Sequence, residues 1–131
     1  MSVKERFHLR IYYEDTDLAG IVYYANYLKF IERARSEMLN NLSISQKKLY
    51  DVGKFFVVTD LKAKYFCPAY FGDDLEVLTE LTQVKGASIL LIQKVYRSTE
   101  LLFQASITLA LVGNDRKVVR IPANIRQLLE T

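Results

Sequence analysis

Residues 12–39 read "YYEDTDLAGIVYYANYLKFIERARSEML", and how this stretch divides into loop and helix decides the fold. Glu14, Asp15 and Asp17 crowd three carboxylates into four residues, Gly20 follows, and the chain then turns apolar and aromatic. From about Val22 to Leu42 the apolar period is helical: Tyr24, Tyr27, Leu28, Ile31, Ala34, Met38 and Leu42 follow the i, i+3, i+4, i+7 pattern. Asn26, Lys29, Arg33, Glu37 and Asn40 take the other side, and Tyr23 and Phe30 widen the stripe. A helix so broadly apolar is expected to be the central element, with the acids on the loop that enters it.

The flanks are different. Residues 5–14, "ERFHLRIYYE", alternate as a strand with Phe7, Leu9, Ile11 and Tyr13 on one face. Ser45 and Gly53 bracket a second, short helix as cap and stop. In "FFVVTDLKAKYF", Phe55, Val57, Thr59, Leu61, Ala63 and Tyr65 are expected on one strand face, opposite Asp60, Lys62 and Lys64. "DLEVLTELTQV", "ASILLIQKVYR" and "LLFQASITLALV" follow as strands joined by short turns at Lys85–Gly86 and Ser98–Thr99. Such short connections make a meander of antiparallel neighbours. "IPANIRQLLE" closes the chain as a short helix or turn. The result is one α+β domain over residues 1–131, a long central helix wrapped by a curved antiparallel sheet of about five strands.

Composition narrows the chemistry. Half of the 131 residues are hydrophobic, a quarter are charged, and the net charge is +3, short of a nucleic-acid footprint. A single cysteine, Cys67, allows neither an intrachain disulfide nor a cysteine-based zinc cluster. The first ten residues lack a signal-type apolar core and no apolar run has membrane-spanning length, so a cytoplasmic location is expected. The lone histidine, His8, lies in a strand pattern, which disfavours a Ser-His-Asp or Cys-His triad and a histidine-dependent dehydratase. An enzyme built on this chain would use a carboxylate.

The helix entry reads Gly20, Ile21, Val22, with no Ser, Thr, Asp or Asn immediately ahead of the helical period to cap it. An uncapped first turn could polarise a carbonyl oxygen through an N–H near Tyr24, and a loop carboxylate could attack the carbonyl carbon or activate water. The bland alternative is that Asp15 and Asp17 offset the helix dipole or make Asx turns.

The stretch closely resembles the signature of the hotdog-fold acyl-CoA thioesterases of the 4-hydroxybenzoyl-CoA thioesterase and YbgC type. The likeness lies in Asp15, Thr16 and Asp17, then Gly20, Val22 and Tyr23, then Glu32, Ala34 and Arg35. "Y-F-C-P-A" from Tyr65 and "G-D-D-L-E-V" from Gly72 extend it. The resemblance implies hydrolysis of a short-chain or aromatic acyl-CoA, with Asp17 as catalytic carboxylate and the Tyr24 amide as oxyanion donor. It implies no metal and no cofactor, coenzyme A being part of the substrate. Its sites lie between protomers of a homo-oligomer, a dimer or dimer of dimers. It also brings an acyl carrier protein or the Tol–Pal system as candidate partners, and with them an alternative, a non-catalytic acyl- or CoA-binding module. Many YbgC-type members carry histidine where this chain has Tyr24; a backbone donor survives that change and an imidazole role does not.

Gly20 and Val22 are expected at the substrate. Thr59 either lines the acyl pocket or bonds locally. Lys85, with Gly86 and Ser88 in its hairpin, is the candidate CoA-phosphate contact. Arg35, on the helix's apolar stripe, is expected to pair with Glu32 or Asp15. Glu32 is also a candidate second acid, and Asp15 is read as fixing the loop. Apolar residues on both faces of the later strands call for a second subunit.

Overall fold

The computed structural model describes residues 3–130; Met1, Ser2 and Thr131, the ends of the expected domain, lie outside the described residues. Five strands, β1 (Lys4–Arg10), β2 (Phe55–Tyr65), β3 (Asp74–Val84), β4 (Ser88–Arg97) and β5 (Glu100–Val112), form one antiparallel sheet in the order β1-β3-β4-β5-β2. The helix α1 (Asn26–Asn41) packs against it, followed by α2 (Gln46–Asp51) and a terminal α3 (Ala123–Leu129). This is the α+β hotdog arrangement the resemblance implied. No helix among the described residues is long and apolar enough to cross a membrane.

Local chemistry accounts for the elements. Ser45 caps α2 through a bond from the Lys48 N–H at 3.1 Å, and Gly53 ends it at φ +76°, a conformation that favours glycine. On β4 and β5 alternate residues Ile89, Leu91, Val95, Phe103, Ile107 and Leu109 are buried beneath α1 residues Phe30, Ile31, Ala34 and Met38 in one core. Two polar side chains share that core, Thr79 and Gln93, directly opposite each other across β3 and β4.

Three expectations change. The helix begins at Asn26, not near Val22, because residues 21 and 22 are drawn into bridges with Tyr70 and Thr16. Tyr24 therefore precedes the helix, and Leu28 faces outward rather than joining the apolar stripe. The first strand stops at Arg10, and Tyr13 turns out of it into a 3-10 turn (Tyr13–Asp15). In β2 a bulge between Val58 and Asp60 leaves Thr59 without a register partner. One extra residue reverses parity, so Phe56 and Val58, not Phe55 and Val57, share a face with Leu61, Ala63 and Tyr65.

Candidate active site

The acid-bearing segment is a small stitched hairpin. Asp17 N–H donates to the Ile21 carbonyl at 2.9 Å and Gly20 N–H to the Asp17 carbonyl at 3.0 Å, with Gly20 at φ +78°. Val22 N–H bonds the Ala69 carbonyl at 2.9 Å, which ties the hairpin to the segment leaving β2. Asp15 locks the base of the loop, its carboxylate accepting the Tyr12 N–H at 2.8 Å. The Asp15 carbonyl accepts both the Tyr23 N–H at 3.0 Å and the Asn26 side-chain amide at 2.9 Å. Asp15 thus has the loop-fixing place read for it.

Asp17 is held differently. Its Oδ1 accepts the Ala19 N–H at 2.8 Å in an Asx turn, while Oδ2 takes no hydrogen bond from the described residues. The carboxylate is exposed and, with Gly20, lines an open cleft of about 690 Å³ walled by Tyr13, Leu18 and Phe71. One oxygen is oriented and the other is available.

Tyr24 sits seven residues on, and its backbone N–H meets no acceptor among the described residues. With Val22 it lines a second, apolar cavity of about 270 Å³, shared with Ile21, Tyr27 and Tyr65. The Tyr65 phenol donates to the Tyr24 carbonyl at 2.8 Å. Burial pushes the phenols of Tyr27 and Tyr65 above the usual tyrosine range, so both stay protonated. The Tyr27 hydroxyl also accepts the Ala69 N–H at 3.1 Å.

The remaining expected residues are not gathered here. Thr59, exposed at the bulge, bonds the Thr108 carbonyl at 3.4 Å. Lys85, Gly86 and Ser88 form the β3–β4 hairpin, where Arg126 donates to the Lys85 carbonyl and Ile121 N–H to the Gly86 carbonyl at 2.9 Å. That hairpin caps the far end of β3 from Asp74, roughly 35 Å away along an 11-residue strand. Asp74 pairs with Arg10 beside the acid loop, so one chain does not bring Lys85 to Asp17.

Arg35 corrects a sequence-based expectation. Neither Glu32 nor Asp15 lies within salt-bridge reach; Arg35 instead donates to Gln93 Oε1 at 3.5 Å, and burial lowers its pKa from the usual arginine value while the charge of Glu32 opposes that shift. The carboxylates are already engaged, Glu32 by the Ser36 hydroxyl at 2.7 Å and Asp15 by Tyr12. His8 is the strand residue expected, and it is exposed, its Nε2 3.4 Å from Glu76. Tyr65, Asn26 and Gln93 went unassigned in the sequence. Tyr65 did carry a signal, opening the quoted "Y-F-C-P-A", but partners so distant in sequence are visible only after folding. Among the described residues no three His, Cys, Asp or Glu side chains form a metal-holding group.

A carboxylate loop and an unpaired amide ahead of a long helix, on a sheet of order β1-β3-β4-β5-β2, place this molecule in the hotdog class. A thioesterase superfamily model matches residues 19–103, a span that starts just after Asp17 and includes Tyr24 and Tyr65. The acyl-CoA thioesterase YbgC of Haemophilus influenzae is 42% identical over 122 residues, 92% of this chain and 90% of that one. The acyl-CoA thioester hydrolase YbgC of Escherichia coli O6:H1 is 39% identical over 113 residues, 86% of this chain and 84% of that one. A probable thioesterase from Bartonella henselae superposes with a TM-score of 0.88 at 31% identity, covering 92% of this chain and 100% of that structure. This chain belongs to the thioesterase superfamily, among its YbgC-type members.

Proposed function

We propose that this protein is an acyl-CoA thioesterase, cleaving a short-chain or aromatic acyl-CoA to the free acid and CoA. The observation that carries the reading is the Asp17 carboxylate, with Oδ1 anchored and Oδ2 free, on the same loop as the unpaired Tyr24 N–H. The thioester carbonyl oxygen accepts from that N–H, which stabilises the oxyanion of the tetrahedral intermediate. Two routes use this geometry. Asp17 attacks the carbonyl carbon, expelling CoA thiolate and leaving an aspartyl–acyl anhydride that water hydrolyses. Alternatively Asp17 takes a proton from a water that attacks in its place. Neither calls on a metal or a bound cofactor.

The working unit in this reading is a homo-oligomer of the single domain 1–131, a dimer or a dimer of dimers. Support comes from the aromatic surface round the loop: Tyr12, Tyr13, Tyr23, Tyr24, Phe66 and Phe71 are all exposed, a patch that a second copy would cover. Covering it also removes water from Asp17, which strengthens the charge interactions there. A second protomer is then the source of CoA-phosphate contacts such as Lys85, which its own chain keeps away from Asp17.

Asp17→Asn is expected to lower kcat by about 10³-fold or more while the protein folds and binds acyl-CoA. Near-wild-type thiol release by that variant sinks the assignment. Assaying the wild type on a panel of aliphatic and aromatic acyl-CoAs identifies the acyl group, and no thiol release across the panel points to a binding module instead.

A further inference from the structure

The three carbonyls at the entrance of α1 do not share one kind of donor. Tyr23 C=O accepts the Asn26 N–H at 2.8 Å, closing a turn, and Ala25 C=O accepts the Leu28 N–H at 3.1 Å, opening the helical ladder. Between them Tyr24 C=O takes no backbone donor among the described residues. Its partner is a side chain 41 residues away, the phenol of Tyr65 at 2.8 Å, on the last residue of β2. The Tyr65 ring is itself set edge-on against Tyr27 at 5.5 Å and Phe103 at 5.0 Å, both deeply buried, so the hydroxyl stands on a rigid base.

These bonds fix both peptides that flank the Tyr24 α-carbon. The Tyr23–Tyr24 unit, which carries the free N–H, is fixed by the turn; the Tyr24–Ala25 unit is fixed by Tyr65. An amide orients a transition state only if its own torsions are restrained, because a donor that reorganises during the reaction gives back part of its stabilisation. We propose that Tyr65 is a positioning residue: by binding the Tyr24 carbonyl, its phenol O–H holds the Tyr24 N–H in line with the thioester oxygen. This rests on the reading of Tyr24 as the oxyanion donor, and adds to it a residue that acts through the Tyr24 carbonyl rather than on the reacting atoms.

Tyr65→Phe keeps the ring and its packing and removes only the hydroxyl. The expected result is a kcat lower by about tenfold, the rate equivalent of one hydrogen bond, with KM within twofold of wild type. A purely structural role would lower thermal stability and raise KM together, and that pattern, or a kcat within twofold of wild type, overturns the proposal. Infrared difference spectra of a carbonyl-¹³C acyl-CoA bound to Asp17→Asn separate the two layers. A carbonyl stretch at its solution frequency there means that Tyr24 polarises nothing, and the oxyanion reading itself fails. A stretch shifted down in Asp17→Asn and equally shifted in Asp17→Asn/Tyr65→Phe keeps that reading and overturns only the role of Tyr65. A downshift that shrinks or broadens when the hydroxyl is removed is the expected result.

Discussion

Gln93 reaches from β4 to the long helix and places its Nε2 2.8 Å from the carbonyl of Ile31. The same nitrogen lies 2.8 Å from Thr79 Oγ1, and Oε1 receives Arg35. A fully buried amide with every group matched ties sheet, helix and the half-buried guanidinium into one network. Gln93→Leu keeps much of the volume but strands Arg35 and the Thr79 hydroxyl. It is expected to destabilise the fold by about 1–3 kcal/mol in urea unfolding. A change below about 0.5 kcal/mol would mean that the network contributes nothing net.

Two glycines at nearly the same φ separate strain from crowding. At Gly20, φ +78°, an added Cβ meets nothing within 4 Å, so Gly20→Ala costs only the left-handed backbone, about 1–2 kcal/mol. At Gly53, φ +76°, it would lie 2.2 Å from Asn114 Nδ2 and 2.7 Å from its Cγ. Gly53→Ala is expected to lower Tm further than Gly20→Ala. Adding Asn114→Ala to Gly53→Ala should recover the excess and leave the backbone share behind.

Arg97 joins the segment after β2 to the β4–β5 turn, bonding Asp73 at 2.7 Å, Glu100 at 2.6 Å and the Pro68 carbonyl at 3.2 Å. The Arg97 guanidinium, and secondarily the Cys67 thiol, hold the Glu100 carboxyl below its ordinary range. A carboxyl whose folded pKa is depressed stabilises above its unfolded pKa and loses that contribution as pH falls through the folded one. Glu100→Gln should therefore melt below wild type at neutral pH, and the two curves should converge as pH falls through about 4 and lower. A gap that stays constant down to pH 2 would assign the difference to packing rather than to charge.

Thr59 tests the bulge. Its hydroxyl bond at 3.4 Å is weak, so Thr59→Val is expected to change stability by no more than about 0.5 kcal/mol. Deleting Thr59 removes the unpaired residue and leaves Phe56 and Val58 on the face of Leu61, Ala63 and Tyr65 in strict alternation. The deletion is therefore expected to unfold within about 1 kcal/mol of wild type. A loss of about 2 kcal/mol or more would show that the bulge itself is needed to hold β2 on β5.

The sequence alone determined what local periodicity and turn chemistry determine. The meander of β3, β4 and β5 lies where alternation and the Lys85–Gly86 and Ser98–Thr99 turns placed it, and Ser45 and Gly53 bound α2 as cap and stop. The acid loop was legible for a different reason, because Asp15, Thr16, Asp17 and Gly20 form a dense local motif. What only the tertiary structure decided rests on partners far apart in the chain. Val22 reads as helical until Ala69 takes its N–H, and Phe55 reads as inward until a bulge against β5 reverses the parity. Arg35 reads as one half of an ion pair until its nearby acids prove engaged elsewhere and Gln93 receives it across 58 residues. Each of these is a competition between a local preference worth tenths of a kcal/mol and a packed or hydrogen-bonded alternative worth about one or more. Periodicity records the first kind of energy and is silent on the second.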